Sequence, residues 1–309
     1  MFNLFFASAV NSPLTLDYRR KYGCNQLLSQ LNDRKSIIDW VDYLRNNPEC
    51  KSKLFIDSGA FSAHTKGKVI DVDEYIDFIN SIDDCVYVFA QVDKIPGEFR
   101  KEKTAEQLAE APKESWDNYL YMVDKVKSRD KLLPIFHQGE DFKWLINMLE
   151  YRHPDGKPID YIGISPANDV HVNEKQKWIS RVFKIIKSSS NPNVKTHAFG
   201  MTSLNLLEQY PFTSADSTSW VMTAANGGIF TNFGTQVVSA IQKSSTSNLM
   251  NKLPVELDAF KKYLKEYGSD LELLANDWRY RALHNIKYLK KWADNYSLKT
   301  NITSKKSLI

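Results

Sequence analysis

No apolar run in this 309-residue sequence is long enough to cross a bilayer, which takes about 20 consecutive apolar residues. Cysteine is scarce as well. Cys24, Cys50 and Cys85 are odd in number, widely separated and without C-x-x-C spacing, so they suggest no metal or redox site and are read as reduced thiols. The opening MFNLFFASAV lacks the basic leading segment of a secretory signal, and its alternation of Phe with small residues suits a first strand. A cytoplasmic protein is expected. No G-x-G-x-x-G follows that strand, which weakens the case for a dinucleotide-binding sheet. Charge of one sign is also in short supply: a net charge of +4 is too small by itself to indicate a nucleic-acid partner.

What is present fits a large α/β domain. Apolar residues make up 42% and charged residues 25%, which excludes a disordered chain. Strand-like runs recur at NLFFASA (3–9), KLFIDS (53–58), CVYVFAQVD (85–93), LLPIFHQG (132–139), DYIGIS (160–165), THAFGM (196–201) and FTSADS (212–217), with GIFTNFG (228–234) a weaker eighth. They are largely apolar rather than alternating, as strands of a parallel sheet covered on both faces are. Helical patterns lie between them, at 72–82, 104–127, 141–152, 173–188 and 203–209. Seven or eight such alternations predict a (β/α)8 TIM barrel over 1–240, with a doubly wound sheet as the alternative.

Beyond residue 240 the pattern changes. A polar QKSSTSN linker (242–248) leads to helices near 254–267 and 270–295 and to an SKKSLI tail expected to be disordered. From Lys243 onward thirteen Lys and Arg face seven Asp and Glu, a net of +6 that leaves −2 for the preceding part. On a 3.6-residue wheel Ala282, Leu283, Ile286, Leu289 and Ala293 share one side, and Arg281, His284, Lys287 and Lys291 cluster on the other. A basic helical extension over 241–309 is therefore expected. Its charged side is either solvated surface or a contact for something anionic.

Barrel enzymes collect their reactive groups at the C-terminal ends of the strands. Asp57, Asp93, His137 with Gln138, Gly163, His197 and Asp216 all fall at or near such ends. Asp57, followed by Ser58 and Gly59, has a structural alternative as a helix cap, but several carboxylates at equivalent ends favour chemistry. Two carboxylates in one pocket can divide work at an acetal-like carbon, and Asp57 and Asp216 are the candidates. Asp93 with the Gln138 amide offers acceptors and a donor to one edge of a planar heterocycle, and Gly163 is expected to let a ligand approach bare backbone. The chemistry suggested is cleavage of an N-glycosidic bond to a purine-like base.

These residues resemble the motifs of the tRNA-guanine transglycosylases of the queuine and archaeosine type. DSGAFS (57–62) is similar to the family's D-S-G-G-F-Q, with Ala60 and Ser62 as departures, and Asp93 in QVDKIPG resembles the Asp after its next strand. HQGED resembles its Q-G-G, carrying over Gln138 and Gly139. YIGIS carries over Gly163, AFGMTS loosely matches Gly200 to M-G-V-G, and SADSTSW places Asp216 at the family's nucleophile. The resemblance spans 54–220. The family's zinc lobe of three Cys and a His has no counterpart here, since no Cys follows Cys85. That departure and the short chain resemble the branch from bacteriophages and bacterial genomic islands that exchanges guanine in DNA for a 7-deazaguanine.

The resemblance implies that Asp216 attacks C1′ and expels guanine, that Asp57 serves as general acid and base, and that Ser58, Asp93, Gln138, Gly139, Gly163 and Gly200 surround the base. Neither a metal nor a redox cofactor is implied. The partners expected are DNA, with tRNA as the alternative, and a free 7-deazaguanine base, in the cytoplasm (a host's, if phage-encoded) and away from membranes. Arg281, His284, Lys287 and Lys291 are expected to hold phosphates beside the barrel mouth. A hydrolase using the same carboxylates and a non-catalytic nucleic-acid-binding protein are the competing classes.

Overall fold

A computed structural model of the chain describes residues 2–8, 12–97, 101–167, 170–201, 203–242 and 254–299. Its elements alternate from the start: β1 (Asn3–Ala7), α1 (Pro13–Lys21), β2 (Asn25–Ser29), α2 (Gln30–Asn46), β3 (Leu54–Asp57), α3 (Ala60–Thr65), α4 (Val72–Ser81), β4 (Val86–Ala90) and α5 (Ala105–Val123). There follow β5 (Leu132–Leu133), β6 (Ile135–His137), α6 (Phe142–Glu150), β7 (Tyr161–Ser165), α7 (Val172–Ser188), β8 (Lys195–Ala198), α8 (Leu204–Gln209) and β9 (Ser214–Ser217). Helix starts follow local chemistry. Ser12 with Thr15 and Thr104 with Gln107 form capping boxes, and Asp71 and Asp141 accept N–H groups of the first turns of α4 and α6.

The strands pair in parallel in the order β5, β4, β3, β2, β1, β9, β8, β7, β6. The two edges of this sheet, β5 and β6, are consecutive pieces separated only by Pro134, which has no N–H to give a ladder. The Pro134 carbonyl accepts the Gly163 N–H at 2.7 Å, so the sheet curls round on itself into a TIM-barrel-like α/β fold. Side chains alternate as a barrel requires. Phe5, Leu27, Phe55, Val88, Leu133, Ile135 and Tyr161 fill the lumen, whereas Leu4, Phe6, Leu28, Ile56, Phe89 and Ile162 join the layer beneath the helices.

Two expectations about the strands are corrected. NQLLS (25–29), not counted as a strand, is β2, and its polar Gln26 is buried by the guanidinium of Arg19 on α1. GIFTNFG is outside the barrel. It contributes β10 (Gly228–Thr231), which pairs antiparallel with β11 (Gly234–Val237) in a separate hairpin after α9 (Ser219–Ala225). Asp216 thus ends the eighth barrel position rather than the seventh.

The C-terminal helices are α10 (Pro254–Lys265), α11 (Leu271–Asn276) and α12 (Trp278–Asp294). Phe260, Leu264, Leu271 and Leu274 form a small second core with Ile229 and Val238 of the hairpin region. α12 instead belongs to the barrel wall: Ala282, Ile286, Leu289 and Ala293 sit in the main core. Asn285 donates to the carbonyl of Trp220, whose indole donates to Ala7 at the end of β1, while Trp292 packs on Phe2 at its beginning. The helix therefore runs down beside β1, between α1 and α8, in the place of the eighth barrel helix. The boundary drawn at 240 does not separate two cores. The linker residues 243–248 and the tail 304–309 lie outside the described residues.

The expected basic face of α12 is also corrected in part. Arg281 is buried and donates to the carbonyls of Ala224 and Leu274, and His284 is fully buried between Ser269 and the carbonyl of Phe230. Neither reaches a phosphate. Lys287 donates to the carbonyls of Tyr267 and Gly268, and half-exposed Lys291 stands 4.0 Å from Glu266. A wheel separates apolar from polar positions. It does not show that β10, α9 and α11 cover the polar side with their own carbonyls.

Candidate active site

A cleft of about 860 Å³ opens where the β3, β4, β6, β8 and β9 ends converge, and it gathers Asp57, Asp93, His137, Gln138, Gly139, Glu140, Gly200 and Asp216. A second cleft, about 720 Å³, lies at the opposite end of the barrel among Phe2, Tyr22, Lys51, Lys53 and Lys290. Its only carboxylates are Glu49 and Asp294, and Lys290 holds the latter. The convergence of acids at strand ends singles out the first.

Asp57 is carried out of the lumen by β3, and its Oδ2 accepts the Gly59 N–H at 3.0 Å. Burial, then the charge of Asp93, pushes its carboxyl up to about 7 against that hydrogen bond, with Asp216 and Asp33 adding to the rise. A carboxyl so placed can both give and take a proton near neutrality. The N-cap position of α3 is Gly59, so Asp57 stands outside the helix, at the cleft.

Asp216, 6% exposed, is held at one oxygen. Its Oδ1 accepts the Gly200 N–H at 2.8 Å and faces Nε2 of His197 at 3.2 Å. Gly200 has φ of +58°, a left-handed conformation that suits glycine and aims its N–H inward. Oδ2 makes no hydrogen bond among the described residues, which leaves it for the cleft.

Across the cleft, Nε2 of His137 lies 2.9 Å from Oδ2 of Asp93. The ring N–H is not aligned on the oxygen as a hydrogen bond requires, so the contact is mainly electrostatic. Burial pulls the imidazole down, but Asp93 and then Glu140 outweigh it and hold it above the ordinary histidine value. Burial pushes Glu140 itself up to about 7, against the pull of His137. Gln138 Oε1 accepts the Ala167 N–H at 3.1 Å, which leaves its amide N–H groups as the donors facing the cleft.

Two expected base contacts are corrected. Ser58 is fully buried, and its Oγ accepts the Ala60 N–H, so it shapes the turn beneath α3. Gly163 offers no bare backbone: a Cβ there would come within 2.4 Å of the Phe199 ring and 3.0 Å of Leu133. Its lack of a side chain lets Phe199 lie across the cleft floor.

Other groups carried no assignment from sequence. HQGED gives Glu140 no distinguishing signal, and the sequence shows His137 and His197 at strand ends without a role. Lys94, Lys101 and Lys103, with His64, line the same cleft. Lys103 and Lys94 both disfavour the charged form of His64, after burial, which places their positive charge beside α3. Phe61, 62% exposed, presents an aromatic ring next to Asp57. The cleft is bipolar, with carboxylates on its floor and lysines on its rim, of which Lys94 is paired with Glu114 at 2.9 Å.

Among the described residues no three His, Cys, Asp or Glu side chains are placed to hold a metal ion, and no helix is long and apolar enough to cross a membrane. No protein-family model matches the chain, and no curated protein matches it.

Proposed function

We propose that this protein is a guanine transglycosylase that exchanges guanine in DNA for a 7-deazaguanine through a covalent bond between Asp216 and the sugar. The observation that carries the reading is the pairing, in one cleft, of Asp57, pushed up to about 7, with Asp216, tethered at one oxygen only. One can move a proton while the other attacks.

Oδ2 of Asp216 bonds to C1′ as the C1′–N9 bond breaks. The departing electron pair stays on guanine, which takes a proton from Asp57. The incoming base gives its N9 proton to Asp57 and bonds to C1′, and the ester pair returns to Asp216. Asp93 and Gln138 read the base edge with an acceptor and donors, and the Phe61 ring gives its face a surface to stack on. One N-glycosidic bond replaces another, so the exchange needs no energy source.

Lys94, Lys101 and Lys103 favour a substrate that carries phosphate beside the reacting sugar over a free nucleoside. A stacked base cannot reach Asp216, so guanine enters flipped out or from a single strand. The reaction belongs in the compartment that holds the nucleic acid.

The test is mass spectrometry of nucleosides from DNA and from tRNA after co-expression with a 7-deazaguanine supply, beside the Asp216→Ala variant. Deazaguanine deoxynucleoside in DNA with the wild type alone is expected. Its appearance only in tRNA overturns the choice of polymer, base loss without replacement indicates a hydrolase, and Asp216→Ala activity within tenfold of wild type removes the nucleophile assignment.

A further inference from the structure

The barrel lumen is apolar, yet a row of polar groups crosses it and ends on Asp216. The Tyr161 hydroxyl meets Ser214 Oγ, Ser214 Oγ stands 2.5 Å from His197 Nδ1, and His197 Nε2 stands 3.2 Å from Asp216 Oδ1. His197 and Ser214 are fully buried, and the imidazole is enclosed by the rings of Phe5, Phe55 and Phe199 at centroid distances of 5.9, 4.6 and 4.5 Å. Three polar side chains in a hydrocarbon lumen are costly unless each hydrogen bond is made.

For a neutral imidazole, one assignment of protons satisfies them all. A carboxylate only accepts, so Nε2 carries the proton; Nδ1 must then accept, and the Ser214 hydroxyl donates to it; Ser214 Oγ in turn accepts from Tyr161. The burial that holds His197 below the ordinary histidine value, against the pull of Asp216, agrees with a neutral ring. Tyr161 and Ser214 thereby fix which nitrogen of His197 faces Asp216.

We propose that His197, locked by Ser214 and Tyr161, is a positioning residue that together with the Gly200 N–H makes Asp216 a good leaving group in the second half of the exchange. The inference rests on the reading of Asp216 as nucleophile. When Oδ2 bonds to C1′, Oδ1 becomes an ester carbonyl, a weaker acceptor. When the incoming base bonds to C1′, the electron pair of the C1′–Oδ2 bond returns to Asp216 and charge reappears on Oδ1, where two N–H donors already point. Donors placed there favour carboxylate over ester, so they speed breakdown of the adduct and do not assist its formation. A purely structural row would support both halves alike.

The experiment forms the covalent adduct on a guanine-containing oligonucleotide, then chases it with saturating free guanine and follows its decay on denaturing gels. Loss of a donor to a charged acceptor predicts decay slowed about 10–100-fold in His197→Ala. The steady-state fraction of trapped enzyme rises accordingly. His197→Gln, whose amide can donate from the Nε2 position, should stay within a few-fold of wild type. Ser214→Ala leaves His197 in place but releases its tautomer, so it should also slow decay, and it carries the test should His197→Ala fail to fold. Unchanged decay in both His197→Ala and Ser214→Ala overturns the proposal, as does a Gln variant no better than Ala. A wild-type enzyme that forms no adduct on Asp216 overturns the nucleophile reading instead.

Discussion

Asp93 and His137, brought together from the ends of β4 and β6, face each other at 2.9 Å with the imidazole held above its ordinary value. The pairing commits one oxygen of Asp93 to His137 and leaves the other for a ligand. Beside it Gln138 has committed its oxygen to Ala167 and kept its donors. One wall of the cleft thus offers an acceptor and a donor at fixed positions, which is what a lactam edge of a purine requires.

Removing either group leaves its counterpart on a buried base unpaired, at about 1–3 kcal/mol or roughly 5–150-fold in binding. Asp93→Ala and Gln138→Ala are each expected to raise KM for free base within that range while leaving oligonucleotide affinity near wild type. Steady-state kinetics against both substrates make the comparison. Unchanged base KM in both variants would rule the pair out.

Asp57→Asn is expected to lower exchange by about 10²–10⁴-fold, the usual contribution of a general acid–base group. A stability signature accompanies it. The folded value of about 7 lies above the unfolded carboxylate value of about 3.9, so the folded state binds more protons between them and stability falls as pH rises through that window. The Asn variant has no charge to bury there. Urea denaturation should show it gaining on wild type between pH 5 and pH 8; a constant difference contradicts the raised value.

Polymer binding should follow the rim of the cleft and not α12. Lys94→Ala, Lys101→Ala and Lys103→Ala together are expected to weaken DNA binding and flatten its salt dependence, by about 0.9 in slope for each duplex phosphate that is no longer neutralised. Lys291→Ala should leave the slope within error. A triple variant with the wild-type slope would clear the rim of this role.

Arg281→Ala should act on stability. Its guanidinium satisfies carbonyls of α9 and α11, and leaving them without a donor is expected to cost about 2–3 kcal/mol. Chemical denaturation of Arg281→Ala beside Lys291→Ala reads this directly. Equal stability of the two would mean that Arg281 does not tie the C-terminal helices to the barrel.

The barrel was legible because strands covered on both faces are apolar throughout, so VYVFA and YIGIS announce themselves. NQLLS does not, since its buried Gln26 is satisfied by a helix residue that no local pattern foretells. GIFTNFGTQVV carried its own correction: two residues, Asn232 and Phe233, sit between matched strands, the signature of a hairpin rather than a barrel strand. At the site, carboxylates at strand ends were visible, and the structure gathers Asp57, Asp93 and Asp216 into one cleft. The roles of Ser58 and Gly163 do not show in sequence, because a turn and a packed ring are made by neighbours in space. Lys94, Lys101 and Lys103 lie in a loop, where no period marks them.

β1 takes its pairing from β2 on one side and from β9 on the other, and Phe2 stacks 4.4 Å from Tyr296. In synthesis β2 follows β1 directly, whereas β9 comes only after β8 and Tyr296 only after α12. Until β9 emerges the first strand keeps one edge exposed, and until α12 emerges one face, so closure of the barrel is a late, long-range event. Any damage to α12 should therefore show itself less in the finished fold than in the fraction of chains that ever reach it.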